Sequence, residues 1–329
     1  MHTEDLTYHS RFGGNWIDSD RYADELAARL ADGRLSEELA GQIEIFARDG
    51  YVIMRGVVPE ELLEAIDDEV ESAWEPGSGF LGRNPKMGLK WAHQFPADGR
   101  RRIVDPIVNA ASAQLAAFVP EIRDFLAAVF DEEPLAFQSL FFERGSQQRI
   151  HQDTAYVVAS EPVRIAAAWI ALEDVQEGNG ELVYYPGSHR FDEFLFGTPE
   201  EPSKSWNIGR DGQPMHQEFL AGLDSQAAER GIDRASFLPK RGDVLLWHAD
   251  LAHGGSKQTN EAATRRSIVV HYMPLSVEPN YVNFTKHFKP YQVAPGAYMS
   301  SRHYDPYLLD APERPVVPID GLGLDPIDS

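Results

Sequence analysis

The feature that most constrains this chain is a change of texture near Glu133. Before it, apolar residues recur at three- and four-residue spacing; after it, they gather in short β-branched or aromatic runs separated by Gly, Asn and Pro. Ser19–Leu30 and Ser36–Arg48 read as serine-capped helices, the second ended by Gly50. Tyr51–Val58 alternates as a strand, Pro59 opens a helix to about Trp74, and helical spacing returns over Pro106–Phe118 and Pro120–Phe130. Between them Gly77–Arg102, rich in Gly, Pro and basic residues, reads as a long loop placed to lie over a site. Beyond Glu133, strands are expected at Leu135–Glu143, Arg149–Val157, Arg164–Leu172, Glu181–Pro186, Asp243–His248 and Ser267–Met273. Helices first and many short strands later predict an α+β fold, mainly β with flanking helices, built on a β-sandwich or jelly roll.

With 329 residues and 43% hydrophobic content the chain can bury a full core, and we expect one domain over residues 1–329. Its parts are a mainly helical segment with the first strand (1–133), a core (134–274) and a C-terminal wrap (275–329). An insertion at 192–239, with a short helix near Ser225–Arg230, is either a surface excursion or a substrate lid.

A net charge of -22 disfavours nucleic acid and anionic lipid. Apolar runs such as Ile165–Leu172 are too short to span a bilayer, and Met1–Phe12 lacks a secretory pattern, so a cytoplasmic protein acting on a small molecule is expected. Nothing in the sequence bears on oligomeric state. The chain has no cysteine, so any metal must be held by His and carboxylate.

One dispersed set fits that requirement: His151-Gln152-Asp153, then His253, then Arg265 and Arg266. In a strand, His151 and Asp153 project to one side and can grip one ion while Gln152 faces away. The spacing alone is weak, because His248-Ala249-Asp250 and His303-Tyr304-Asp305 repeat it. Strand-like flanks and a later His followed by Arg single out the first. His253 is preferred to His248 as third ligand, since Gly254 and Gly255 allow close backbone approach and Ser256–Thr264 has the length of an extended hairpin turn. Two imidazoles and one carboxylate leave one face of an iron(II) ion open for oxygen and a co-substrate. Of two adjacent strand residues, Arg265 and Arg266, only one can face inward, and a buried guanidinium needs an anion such as a dicarboxylate co-substrate. The same donors suit a zinc-type hydrolase, which has no evident use for that guanidinium. A non-catalytic ligand-binding protein is a further alternative.

From about Phe46 to Tyr272 the chain resembles the phytanoyl-CoA dioxygenase (PhyH) family of Fe(II)- and 2-oxoglutarate-dependent oxygenases. The resemblance is carried by His151-Gln152-Asp153, by Trp169 within Ala168–Leu172, by Gly178-Asn179-Gly180-Glu181-Leu182, by Pro186-Gly187-Ser188-His189, and by Gly242-Asp243-Val244 through His253-Gly254 to Arg265. It implies a double-stranded β-helix (cupin-like jelly roll) in which His151, Asp153 and His253 hold iron. Arg265, matching the family's arginine better than Arg266, would bind the far carboxylate of 2-oxoglutarate. Trp169, Ser256, Gln138 and Lys90 are further candidates for the co-substrate pocket; Gly254-Gly255-Ser256 is one residue longer than the family's usual His-Gly-Ser. The implied reaction uses O2 and 2-oxoglutarate, releases succinate and CO2, and hydroxylates an aliphatic C–H bond of a small or lipid-like substrate. The retained Asp153 favours hydroxylation over halogenation, because related halogenases carry a small residue there.

Overall fold

The computed structural model describes residues 8–84, 86–96, 101–280 and 289–304. The N-terminal part supplies α1 (Tyr22–Ala31), α2 (Glu37–Asp49), β1 (Tyr51–Met54) and α3 (Glu60–Ser72). The Ser36 hydroxyl caps α2 by accepting from the Leu39 amide, and Gly50 ends it at φ 77°, a left-handed conformation that glycine adopts without strain. The expected long loop is instead largely ordered as strands: β2 (Leu81–Asn84) and β3 (Gly88–Trp91) form a hairpin, and β4 (Arg102–Val104) joins it to the main sheet. The helix expected over Pro106–Phe118 is broken at Ala110 (ψ 104°) into α4 (Pro106–Asn109) and α5 (Ala111–Ala117), followed by α6 (Pro120–Phe130).

The core strands are β5 (Pro134–Phe142), β6 (Ala166–Ala171) and β7 (Leu182–Tyr184). An insertion with the two-residue strands β8 (Phe196–Gly197) and β9 (Pro202–Ser203) and the helix α7 (Ile208–Glu229) precedes β10 (Ala235–Phe237). Then come β11 (Val244–His248), β12 (His253–Gly255), β13 (Ser267–Pro274), β14 (Tyr291–Ala294) and β15 (Ala297–Met299). The main sheet runs β1-β11-β6-β13-β5-β4-β2-β3, with β15 parallel to β5; the small sheet runs β10-β7-β12.

Period-two alternation divides the buried side chains between two layers. Ala168, Ile170, Val244, Leu246, Ile268 and Val270 pack against the helices, while Ala167, Trp169, Leu245, Trp247 and Val269 meet Leu182, Tyr184 and Phe237 of the small sheet. This second layer is the interior of the barrel, and the site opens from it.

Three further expectations are corrected. Arg149–Val157 is not a strand: His151 makes an isolated bridge and Asp153–Ala155 is a 3-10 turn. The connection Ser256–Thr264 is not a hairpin, because β12 and β13 lie in different sheets. The insertion is not built on a short helix. Its helix runs over 22 residues with a break at Gly212, and Phe196, Phe219, Leu220 and Leu223 pack with Val183 and Tyr185 on the outer face of β7. Within the tail, Tyr304 is buried and its hydroxyl accepts from the Leu81 amide.

Candidate metal centre

His151 and His253 are direct cross-strand neighbours that exchange both backbone hydrogen bonds, at 2.8 and 2.9 Å. Such closeness requires the glycines after His253: a Cβ on Gly254 would lie 2.7 Å from the Gln148 carbonyl oxygen, and one on Gly255 2.9 Å from the Gln147 nitrogen. Asp153 is held from the other side, its amide donating to the Ala249 carbonyl at 3.0 Å. The 3-10 turn then brings its carboxylate under both rings.

The Nε2 atoms of His151 and His253 lie 3.7 and 3.6 Å from Asp153 Oδ1, and one donor atom from each of the three residues falls within 4.8 Å of the others. Each imidazole is fixed in the same way: Nδ1 of His151 bonds the Arg149 carbonyl at 2.8 Å, and Nδ1 of His253 bonds the Leu251 carbonyl at 2.9 Å. A carbonyl can only accept, so Nδ1 carries the proton and Nε2 presents its lone pair to the centre. Burial pushes the His151 imidazole down to about 4, assisted by His253, which keeps it an unprotonated donor at neutral pH. Burial alone would raise the Asp153 carboxyl, but it is held well below the usual range, with the His271 hydrogen bond to Oδ2 among the contacts that lower it. The three residues are each at most 6% exposed. Two neutral imidazoles and a carboxylate with an open side fit iron(II).

Sequence reasoning missed the support behind Asp153. Its Oδ2 accepts from Trp247 Nε1 at 2.7 Å and lies 3.3 Å from His271 Nε2, which leaves Oδ1 to face the imidazoles. Trp247 and His271 share the inward parity of their strands, a signal readable only once the register is known.

The triad opens on a cavity of about 180 Å³ lined also by Arg102, Gln138, Phe142, Tyr156, Trp169 and Arg265. Strand alternation separates the two adjacent arginines. Arg266 turns out to Asp67 at 3.0 Å, whereas Arg265 is 2% exposed and points into the cavity. Among the described residues Arg265 forms no ion pair with a carboxylate. Its hydrogen bonds go to the Gly180 carbonyl at 3.3 Å and Ser267 Oγ at 3.5 Å, and its Nε has no partner. Burial lowers it to about 10, with Arg102 adding repulsion. The indole Nε1 of Trp169 is likewise buried without a partner, 5.2 Å separating that ring from the guanidinium. Two donors without acceptors in one cavity fit an anionic ligand.

The remaining candidates divide. Gln138 lines the cavity, opposite His271 in register. Ser256 bonds the Glu181 carbonyl through its amide; its hydroxyl is buried without a partner, and it does not line the cavity. Lys90 is not brought to the site: it sits exposed on β3 opposite Gly82, because the segment expected to be a loop forms a hairpin at the sheet edge. His248, one residue from Trp247, faces the opposite way and packs among Tyr8, Phe46 and His189. His303 pairs with Asp105 at 2.8 Å, so the third His-x-Asp is structural at its histidine, and Asp305 lies outside the described residues. Of the basic loop residues, Arg101 pairs with Glu143, Arg102 lines the cavity, and Arg100 lies outside the described residues.

Comparison with solved structures supports the architecture. The epimerase SnoN from nogalamycin biosynthesis, in complex with Fe3+, alpha ketoglutarate and nogalamycin RO, superposes with TM-score 0.56 at 17% identity over 87% of this chain and 96% of that one. EctD from S. alaskensis with bound Fe gives TM-score 0.51 at 18% identity over 74% and 78%. The fold is thus the jelly roll of 2-oxoglutarate-dependent oxygenases. The profile of the phytanoyl-CoA dioxygenase (PhyH) family matches residues 46–267, and the chain belongs to that family. Curated relatives include the human peroxisomal phytanoyl-CoA dioxygenase, 21% identical over 74% of this chain and 70% of that protein. The ectoine dioxygenase of Bordetella parapertussis is 24% identical over 68% and 72%. No helix among the described residues is long and apolar enough to cross a membrane.

Proposed function

We propose that the chain, acting as one oxygenase domain, is an Fe(II)- and 2-oxoglutarate-dependent dioxygenase that hydroxylates an aliphatic C–H bond of a small-molecule substrate. The observation that carries this reading is the buried Arg265 guanidinium, without a carboxylate partner among the described residues, in the same cavity as the His151, Asp153 and His253 donors. A zinc-type hydrolase would use the triad and leave that arginine unexplained. Bound iron would supply oxygen activation coupled to oxidative decarboxylation of the 2-oxo acid to succinate and CO2.

The chain's own residues do the binding and orienting. His151, Asp153 and His253 hold the ion through one atom each, and Trp247 and His271 fix the direction of the carboxylate. Arg265 receives the distal carboxylate of 2-oxoglutarate, Trp169 offers its indole N–H, and Gln138 borders the same space. Phe142, Val269 and Trp169 close the inner wall with apolar surface that excludes water. Asp153 occupies the position a halide would need.

The test is a screen of candidate substrates for Fe(II)-dependent succinate formation, followed by mass detection of one added oxygen, with chloride present. Hydroxylated product is expected. Succinate formation with a chlorinated, epimerised or cyclised main product refutes hydroxylation, and turnover without 2-oxoglutarate refutes the oxygenase reading.

A further inference from the structure

Outside the cavity lies a second buried polar cluster, centred on Asp250. This carboxylate is 2% exposed. Its Oδ1 accepts from Thr154 Oγ1 at 2.7 Å, and its Oδ2 accepts from Tyr8 Oη at 2.6 Å and Lys204 Nζ at 2.8 Å. Its main chain is engaged as well: the carbonyl accepts from Gln152 Nε2 at 2.7 Å and the amide donates to His248 Nδ1 at 3.1 Å.

The partners are informative. Gln152 and Thr154 are the residues on either side of Asp153, and Asp250 itself lies in the turn that leads into His253. Next to it, the Ala249 carbonyl receives the Asp153 amide. One carboxylate therefore joins the turn carrying His151 and Asp153 to the turn carrying His253. Lys204 belongs to the insertion and is also buried, with Glu193 at 3.6 Å as a second anion, and two residues on, the Trp206 amide donates to the Ala155 carbonyl at 3.0 Å. Burial alone would raise the Asp250 carboxyl; Lys204 and then His248 more than offset it, so the pair is ionic. A buried ion pair adds little net stability compared with apolar packing, because desolvation cancels most of the attraction. What such a pair does impose is geometry.

We infer that Asp250 is a positioning residue for the metal centre, clamping its two ligand-bearing turns at fixed separation and tying that separation to the docking of the insertion through Lys204. The inference rests on the metal-centre reading above. Neither Asp250 nor Lys204 lines the cavity, so the clamp acts through the backbone of the ligand turns and not on substrate.

The test uses the full chain freed of metal and titrated with Co(II), read by the ligand-field absorption of the bound ion and not by turnover. Asp250→Asn and Lys204→Met are expected to weaken Co(II) binding 10- to 100-fold, the range seen when groups supporting metal ligands are removed, and to alter the absorption band. Thr154→Val, which keeps the shape and the Lys204 pair, is expected to weaken binding by a smaller factor in the same direction, and it decides the matter should the first two fail to fold. Arg29→Met, which removes a buried guanidinium on α1 from its pair with the exposed Asp131, controls for general destabilisation and is expected to lower the melting temperature without moving Co(II) affinity. Folded Asp250→Asn and Thr154→Val proteins with wild-type affinity and spectrum overturn the clamp alone. A wild-type chain that binds no Co(II) overturns the metal-centre reading and the clamp with it.

Discussion

Replacing Arg265 with Met separates the cost of this side chain from its use. At neutral pH the guanidinium is charged, yet burial, aided by Arg102, brings it down to about 10, which corresponds to about 3 kcal/mol of unfavourable ionisation. Because the folded-state value lies below the unfolded one, the penalty is fully present at neutral pH and fades only as pH rises above about 10 towards the ordinary arginine value. Against it stand two long hydrogen bonds, at 3.3 and 3.5 Å, and contacts over the Trp169 and Phe142 rings at 5.2 and 5.5 Å. These are worth about 1–2 kcal/mol together. The metal-free Arg265→Met protein is therefore expected to be more stable than wild type by about 1–2 kcal/mol, a gap constant across the neutral range. With Mn(II) in place of iron and 2-oxoglutarate at a hundred times its dissociation constant, wild type should gain about 2.7 kcal/mol and the variant almost nothing. Calorimetric melting with and without the 2-oxo acid measures both. A variant that is destabilised without ligand and still stabilised by 2-oxoglutarate would refute the reasoning.

Gly254→Ala places a Cβ 2.7 Å from the Gln148 carbonyl oxygen and should force the His253 and His151 segments apart, lowering Mn(II) affinity roughly tenfold with the far-UV spectrum unchanged; equilibrium dialysis measures it. Trp169→Phe removes an N–H that has no acceptor among the described residues, so the 2-oxoglutarate dissociation constant should rise about five- to tenfold for one lost hydrogen bond, measured by titration calorimetry, while the melting temperature moves little. Arg266→Ala removes the pair to Asp67 and a contact over the Phe141 ring, which should cost about 1 kcal/mol in urea unfolding and leave 2-oxoglutarate binding intact. Asp105→Ala strands Ser139, Ser301 and His303, all bonded to that buried carboxylate, and should cost about 3 kcal/mol in the same assay without altering metal affinity.

The architecture was legible where a single periodicity governs a segment. The serine cap and glycine stop of α2 and the alternating strands from Leu135 onward follow from local chemistry, and they suffice to predict helices packed on a β core. Parity also resolves choices that the sequence poses without answering: Arg265 against Arg266, and Trp247 against His248, are adjacent strand residues whose faces are assigned once β11 and β13 are paired with β6. The hairpin hidden in Gly77–Arg102 was illegible because β2 and β3 are short, half exposed and polar, and are held by pairing to β4 and thus to β5. His271 escaped for the same reason, since it becomes a wall of the cavity only through long-range register.

The metal turn itself shows why periodicity fails nearest the chemistry. A strand through His151 and Asp153 would set both side chains on one face but would commit their backbone groups to two neighbours in a ladder. Here the chain instead leaves extended conformation after Gln152, so that Asp153 rises in a 3-10 turn towards two rings that are themselves steered by carbonyls two residues upstream. That departure gives up ladder hydrogen bonds, and the backbone groups it frees find other backbone partners: the Asp153 amide donates to the Ala249 carbonyl, and the Gln152 and Asp153 carbonyls accept from the Ala155 and Tyr156 amides. The side chains flanking Asp153 turn instead to Asp250, Gln152 to its carbonyl and Thr154 to its carboxylate. The irregular backbone that gives the triad its convergence thus lies against a residue distant in sequence, where a local rule is broken and long-range contacts replace it.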